Sequence, residues 1–117
     1  MYEIEFYRTA SGKSPVEEFI KKMDPKMRAK TIGNIALLQE YGDRLGMPFT
    51  RSIGDGIFEL RTGTHGDITR ILFFFAIGKH IVLTNGFTKK TRKTPHSEIE
   101  KAKDRKEDWS MHHGRSR

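Results

Sequence analysis

The chain has 117 residues, of which 35% are apolar and 32% charged, and this is enough for one domain with a single core. The absence of cysteine excludes a disulfide framework, a thiolate nucleophile and a cysteine-ligated zinc site, and no apolar stretch approaches the roughly 18 residues of a membrane span. The opening Met-Tyr-Glu-Ile-Glu carries acids where a secretory signal carries lysines, so we expect a cytoplasmic protein.

The net charge of +7 is concentrated in the last third of the chain. Residues 79–117 contain eleven Lys or Arg against five Asp or Glu, whereas residues 1–78 contain eleven against ten. This asymmetry favours polyanionic partners, either nucleic acid or an acidic protein segment. The alternative is a solvated basic helix that serves only solubility.

The first half of the chain predicts a strand followed by a helical hairpin. Tyr2 to Arg8 alternates apolar and charged residues with the period of two that a half-buried strand shows. Ser14-Pro15 and Asp24-Pro25 each combine a capping side chain with a proline suited to the first helical turn. We therefore predict one helix from Ser14-Pro15 to about Lys22 and a second from Asp24-Pro25 to a stop at Gly42.

The second half predicts an antiparallel meander and a last helix. Glycines and a proline in residues 42–56 indicate a loop, and period-two patterns then predict three strands, over residues 57–62, 67–76 and 80–87. Thr94-Pro95 starts a helix whose apolar stripe is narrow, so we expect it to be half exposed and weakly docked. The result is one α+β domain over residues 1–110, with a tail over residues 111–117 that we expect to be disordered.

Turn lengths give a first estimate of the strand register between the first two strands of the meander. If Thr62 pairs with Asp67, then Glu59 lies opposite Arg70, and Arg61 lies on the same face as both. Arg70 could then serve only to pair with Glu59, a contact that contributes about 0.2 to 1 kcal/mol when exposed.

The register of the last two strands brings an aromatic residue to the same face. If Ile77 pairs with His80 across a two-residue turn, Arg70 lies opposite Phe87, and Arg61, Arg70 and Phe87 share one face of the sheet. A one-residue bulge would change this geometry. We expect the opposite, apolar face to receive the helical hairpin; it collects Phe58, Leu60, Ile71, Phe73, Phe75 and Val82.

The residues that leave the last strand combine an aromatic ring with cations and hydroxyls. The run Gly86-Phe87-Thr88-Lys89-Lys90-Thr91-Arg92-Lys93 continues to Thr94-Pro95-His96. Such a segment can bind a phosphate backbone while its aromatic ring stacks on an unpaired base. Phe87, Arg92 and Lys93 are therefore the candidate RNA-binding residues.

These motifs, taken together in their order, resemble the phage-derived, HigB-type branch of the RelE toxin superfamily. The resemblance rests on Gly56-Ile57-Phe58-Glu59-Leu60-Arg61, on Arg70-Ile71-Leu72-Phe73-Phe74-Phe75, on Ile81 to Thr91 and on Thr94-Pro95. It implies a small RelE-like fold and a ribosome-dependent mRNA endonuclease that inhibits translation without a cofactor. It also implies a helix-turn-helix, HigA-like antitoxin partner encoded beside the toxin.

The resemblance also implies site residues. Arg61 and Arg70 match the strand arginines of the family's concave face, and Phe87, Lys89 and Lys90 match its strand-exit motif. Attack of a ribose 2′-hydroxyl on the adjacent phosphate needs a base, charge stabilisation on the phosphorane and a donor to the leaving 5′-oxygen. Guanidinium groups suit charge stabilisation, so Arg61 and Arg70 are the candidates for that task.

The general base stays open, with lysines and histidines competing for the role. Lys89 or Lys90 could act if neighbouring cations depress its pKa, and His96 or His65 are the alternatives because histidine titrates near neutrality. Each histidine could instead be a surface residue without a catalytic role.

We expect no metal at the site, because the acids are scattered and His112-His113 lies close to the end of the chain without spaced carboxylates. Two other functions fit the sequence: a gyrase-poisoning toxin of the related ParE branch, and a non-catalytic module that binds RNA or an acidic partner.

Overall fold

The computed structural model describes residues 1–64, 67–89 and 93–113, which form a five-stranded sheet between helices. Strand order in the sheet is β1-β5-β4-β3-β2, with β1 parallel to β5 and the other neighbours antiparallel. This arrangement confirms the predicted α+β class. In chain order the elements are β1 (Glu3–Phe6), α1 (Pro15–Lys21), α2 (Pro25–Tyr41), a 3-10 turn (Gly42–Arg44), β2 (Thr50–Gly54), β3 (Ile57–Thr64), β4 (Asp67–Ala76), β5 (His80–Lys89) and α3 (His96–His113).

Both helices of the hairpin begin at the predicted capping residues. Ser14 Oγ accepts a hydrogen bond from the Glu17 backbone N–H at 3.2 Å, and Asp24 Oδ1 accepts one from the Met27 N–H at 3.0 Å. These side chains satisfy backbone donors that the first helical turn leaves free, which fixes where each helix starts. The predicted stop at Gly42 is also confirmed, since α2 ends at Tyr41.

Strand β2 lies within residues 42–56, which we predicted to be a loop. That prediction was wrong for residues 50–54, which form the strand. Thr50 pairs with Leu60 and Arg51 with Glu59 on β3, and the register shifts between Ser52 and Gly54. The glycines on either side of this strand suggested irregular chain throughout. Pairing with the edge of β3 supplies the backbone hydrogen bonds that local sequence does not.

The predicted register between β3 and β4 was wrong by two residues. Thr62 pairs with Thr69, and Arg61 pairs directly with Arg70, because β3 continues to Thr64 before the chain turns. Side chains alternate between faces with a period of two, so a shift of two residues leaves each side chain on its predicted face. Arg61 and Arg70 therefore share a face as expected.

The predicted pairing of Arg70 with Phe87 is confirmed, although the turn that suggested it was wrong. His80 pairs with Ala76 rather than with Ile77, and β5 then carries a bulge at Thr84. The extra residue of the bulge restores the predicted register for the rest of the strand. The one-residue shift at the turn and the one-residue shift at the bulge cancel each other, so Arg70 lies opposite Phe87 as predicted. Between the turn and the bulge, the pairing differs from the prediction by one residue.

Each face of the sheet carries its own core. Helices α1 and α2 pack on Leu60, Ile71, Phe73 and Phe75, as predicted for the hairpin. Val82 was predicted on that face and lies on the other one, because it precedes the bulge that changes the alternation. Helix α3 covers much of this second face, which is also the face of the arginines. The second core includes Leu72, Phe74, Val82, Ala102 and Trp109.

Helix α3 is firmly docked, contrary to the prediction of a weakly docked helix. Trp109 is buried, and its Nε1 donates a hydrogen bond to Glu5 Oε2 at 2.6 Å. The Tyr7 hydroxyl donates to Asp108 Oδ2 at 2.7 Å. The helix continues to His113, so the predicted disordered tail is helical over residues 111–113, and residues 114–117 lie outside the described chain. Within the described ranges, none of the helices is long and apolar enough to cross a membrane.

Candidate functional site

Two arginines lie directly opposite each other where β3 and β4 pair. Arg61 and Arg70 are register partners, and Glu59, two residues before Arg61, shares their face. Glu59 Oε2 lies 2.5 Å from Arg70 Nη1 and 3.9 Å from Arg61 Nε. Like charges placed opposite each other repel, so the carboxylate between them offsets part of that cost.

A third arginine joins this site from the edge strand. Arg51 is the register partner of Glu59, and its Nη2 lies 3.3 Å from Glu59 Oε2. Sequence reasoning missed Arg51 because its strand was predicted to be a loop. The β-branched Thr50 and Ile53 on either side of Arg51 were the available signal for a strand. We call Arg51, Arg61, Arg70 and Glu59 the arginine cluster.

The side chains of the arginine cluster range from fully buried to partly exposed. The Glu59 side chain is 0% exposed and that of Arg70 is 3%, whereas Arg61 is 26% and Arg51 44% exposed. Three guanidinium groups against one carboxylate leave two net positive charges. Arg51 and Arg61 can therefore meet a ligand from solvent, while Arg70 acts from behind them.

The arginine cluster retains hydrogen-bond donors that are not used within the described chain. The Nε atoms of Arg61 and Arg70 are buried and have no hydrogen-bond partner among the described residues. Burial lowers the pKa of Arg70 below its ordinary value, and the Glu59 carboxylate opposes that effect. Buried cationic donors without an acceptor are costly, and an anion placed there would satisfy them.

The chain after β5 returns to the arginine cluster. Thr94 Oγ1 donates a hydrogen bond to Glu59 Oε1 at 2.7 Å, just before α3 begins. Phe87, opposite Arg70, is partly buried against the second core, and Lys93 is exposed. Lys89 ends β5 opposite Ile68. Candidate residues Lys90 and Arg92 lie outside the described residues.

The candidate histidine at the start of α3 is exposed to solvent. His96 is 85% exposed, and its Nε2 lies 3.9 Å from Glu100 one turn further along the helix. The structure thus shows no contact between His96 and the arginines within the described chain. The alternative, His65, lies outside the described residues. The catalytic roles of Arg61, Arg70, Lys89, Lys90 and His96 stay predictions.

The described ranges contain no group of three or more His, Asp or Glu side chains arranged to hold a metal ion. The carboxylate of the arginine cluster is occupied by guanidinium groups and a hydroxyl. The absence of a metal from the chemistry stays a prediction.

Comparison with known proteins identifies the family. A family model described as "Phage derived protein Gp49-like" matches residues 18–107. The chain belongs to the Gp49-like family. The match includes every member of the arginine cluster and Thr94, and this confirms the resemblance to the phage-derived, HigB-type branch of the RelE toxin superfamily.

Curated relatives of this Gp49-like protein come from two strains of Mycobacterium tuberculosis, and both are named "Probable endoribonuclease HigB1". Each is 34% identical to the chain in an alignment of 111 residues that covers 93% of this chain and 86% of the relative. The similarity therefore extends over nearly the whole chain.

Proposed function

We propose that this Gp49-like protein is an endoribonuclease toxin of a toxin–antitoxin pair, and that it cuts mRNA on the ribosome. The observation that carries the proposal is the arginine cluster, in which three guanidinium groups meet one buried carboxylate and retain two net positive charges. The endoribonuclease name of the 34% identical relatives supports the same reaction class. A ribosomal target places the protein in the cytoplasm.

The chemistry we propose is attack of a ribose 2′-hydroxyl on the neighbouring phosphate, which forms the P–O2′ bond and breaks the P–O5′ bond. One residue takes the 2′-hydroxyl proton and another protonates the leaving 5′-oxygen. Arg61 and Arg51, the exposed members of the arginine cluster, contact the phosphate oxygens, and Arg70 adds positive charge from within. Phe87, Arg92 and Lys93 hold the RNA strand. Proton transfer falls to residues of the strand exit or the start of α3, among Lys89, Lys90 and His96.

The test is in vitro translation followed by mapping of mRNA 5′ ends. The wild-type protein should create new 5′ ends within translated messages, and Arg61→Ala should reduce the cleavage rate about 100-fold, as removal of a transition-state donor does. Arg8→Ala is the matched control, because Arg8 forms an exposed pair with Glu17 away from the arginine cluster and should stay within about twofold of wild type.

Intact translated mRNA at a dose that arrests growth would contradict the enzyme proposal. Inhibited gyrase with uncut mRNA would identify the gyrase-poisoning class. Binding to programmed ribosomes without any new mRNA 5′ ends would instead indicate a non-catalytic binding module.

A helix-turn-helix antitoxin encoded beside the toxin is the partner we propose. An acidic segment of such a protein could fold against the positive arginine cluster. Co-expression of the neighbouring gene should relieve growth arrest, and the two proteins should copurify. Continued arrest with a well-expressed neighbour would contradict this pairing.

A further inference from the structure

Glu59 is the most buried charged residue of the site and connects four other side chains. Its side chain is 0% exposed, and a carboxylate in such a position is costly unless charged partners surround it. The partners of Glu59 come from separate parts of the chain. They are Arg51 on β2, Arg61 on β3, Arg70 on β4 and Thr94 before α3.

The two carboxylate oxygens of Glu59 have different partners. Oε2 lies 2.5 Å from Arg70, 3.3 Å from Arg51 and 3.9 Å from Arg61. Oε1 instead accepts the hydroxyl hydrogen bond from Thr94 at 2.7 Å. One oxygen therefore orders the guanidinium groups, and the other holds the chain that enters α3.

The Thr94 contact matters because of its place in the sequence. β5 ends at Lys89, paired with Ile68, and Thr94 follows five residues later at the arginine cluster. Lys89 and Thr94 are thus both placed relative to the arginines by contacts within the described chain. On the far side of Thr94, Asn85 Nδ2 donates to Glu98 Oε1 at 3.0 Å and holds the first turn of α3 to β5.

We infer that Glu59 is a positioning residue, which aligns the arginines through Oε2 and holds Thr94, where the chain enters α3, against them through Oε1. This inference rests on the proposed function, because it assigns the two oxygens to the two halves of one cleavage site. Glu59 itself does not contact the RNA. Its contribution is to the geometry in which the cations and the proton-transfer group meet one phosphate.

Glu59→Gln separates positioning from simple packing, because the side chain keeps its size. A glutamine amide places an NH2 donor where the carboxylate has one of its two oxygens, so it cannot accept from Arg70 at one position and from Thr94 at the other as the carboxylate does. Loss of the negative charge also raises the net charge of the arginine cluster by one, which favours RNA binding. Rate and affinity should therefore move in different directions.

The first experiment measures single-turnover cleavage on programmed ribosomes and affinity for the same ribosomes carrying a non-cleavable 2′-O-methyl mRNA. Glu59→Gln should cleave about 10- to 100-fold more slowly per folded molecule, with affinity unchanged or tighter. A merely structural role would lower the folded fraction and leave the rate of the folded molecules at the wild-type value. That second result would overturn the inference.

The second experiment addresses the Oε1 contact with a pair of variants at Thr94. Thr94→Val removes the hydroxyl and keeps the shape, so cleavage should slow about tenfold, whereas Thr94→Ser keeps the hydroxyl and should stay within about threefold of wild type. Equal rates for the valine and serine variants would overturn the assigned role of Oε1. This pair remains informative if Glu59→Gln folds poorly.

A readout without RNA distinguishes failure of this inference from failure of the proposed function. The Nε–H resonances of Arg61 and Arg70 should be separate from those of exposed arginines in ¹⁵N NMR spectra of the wild type, and should merge with them in Glu59→Gln. Unchanged resonances in a folded Glu59→Gln protein would overturn the positioning role. If the wild type cuts no RNA, the proposed function fails, and the spectra still test how Glu59 orders the arginines.

Discussion

Arg70 illustrates how burial divides the tasks of otherwise similar residues. Its side chain is 3% exposed and lies 2.5 Å from Glu59, whereas its register partner Arg61 is 26% exposed. A guanidinium that solvent barely reaches can attract a phosphate through its charge without touching it, and the local low dielectric strengthens that attraction. We therefore propose that Arg61 contacts the phosphate and that Arg70 supports it from within.

Tyr7 links β1 to α3 through a buried hydroxyl. Its hydroxyl donates to Asp108 at 2.7 Å, and burial, followed by the hydrogen bond and the charge of Asp108, raises the pKa of Tyr7 to about 12. Arg105 opposes this shift. A phenol whose pKa is higher in the folded than in the unfolded state stabilises the fold in its protonated form.

Tyr7→Phe should therefore change how stability depends on alkaline pH. In the wild type the contribution of the Tyr7 hydroxyl is complete below the unfolded-state pKa near 10, and is lost as pH rises from there to about 12. This pH-dependent contribution to the free energy of unfolding is on the order of 2 kcal/mol, and the phenylalanine variant lacks it. Urea unfolding at pH 8, about 10 and about 11.5 measures it.

Tyr41→Phe is the matched control for this pH series, because the Tyr41 ring is 43% exposed on α2. Other groups that titrate above pH 9 contribute equally to all three proteins, so the difference between variants isolates Tyr7. A parallel pH dependence in wild type and Tyr7→Phe would contradict the role of the buried hydroxyl.

At the scale of elements, the bulge in β5 decides on which face of the sheet the side chains at the two ends of that strand lie. Thr84 occupies the bulge, and its hydroxyl donates to the Leu72 carbonyl at 3.1 Å. Arg105 of α3 donates to the Thr84 carbonyl at 2.9 Å. The backbone groups that a bulge leaves without ladder partners are thus satisfied by its neighbours. Helix α3 holds the bulge that brings Phe87 opposite Arg70.

The packing of α1 on β5 depends on a glycine. A Cβ atom added at Gly86 would lie 2.4 Å from Cδ2 of Phe19, which packs against the first core. Gly86→Ala should therefore force the ring or the strand to move and destabilise the protein by about 1 to 3 kcal/mol. Urea unfolding followed by tryptophan fluorescence measures the change.

Gly33→Ala is the matched control within α2, because nothing lies within 4 Å of a Cβ added there. Alanine suits a helix interior better than glycine, so this variant should gain about 0.5 to 1 kcal/mol. If both variants changed stability in the same direction, the close approach of Phe19 to Gly86 would not be the controlling contact.

At the scale of the whole molecule, the arginine cluster lies on the face of the sheet that also receives α3. The chain carries a net charge of +7, most of it after residue 78, while Arg51 and Arg61 come from the nearly neutral part. Charge far from the site steers an anionic partner, whereas charge at the site contacts it. The two contributions differ in how salt affects them.

Binding of single-stranded 2′-O-methyl RNA should weaken steeply with salt, since phosphate binding releases counterions. The slope of log affinity against log salt should become shallower by about 0.7 for each phosphate that a variant no longer neutralises, and so by about 1.4 in the double variant Arg51→Ala, Arg61→Ala. Fluorescence anisotropy between 50 and 300 mM salt, roughly the range over which such slopes are linear, measures it. An unchanged slope would place the phosphate elsewhere, and Arg8→Ala provides the control.

The sequence by itself determined the kinds of elements and the face on which the arginines lie. Ser14 and Asp24 specify helix starts through local hydrogen bonds, so both were predicted correctly. Alternation with a period of two placed Arg61 and Arg70 on one face, and that result survived a register error of two residues. The order of motifs further along the chain indicated the family, and the family match confirmed it.

Only the tertiary structure decided the strand register, the presence of strand β2 and the convergence of the three arginines on Glu59. Pairing between strands depends on turn geometry and on bulges, and the bulge at Thr84 leaves no mark in local periodicity. Arg51 reached the site through β2, whose hydrogen bonds come from a distant partner strand rather than from its own sequence. Arg70 is likewise buried on the face of the sheet that receives α3, an arrangement of residues far apart in the chain that a local pattern cannot specify.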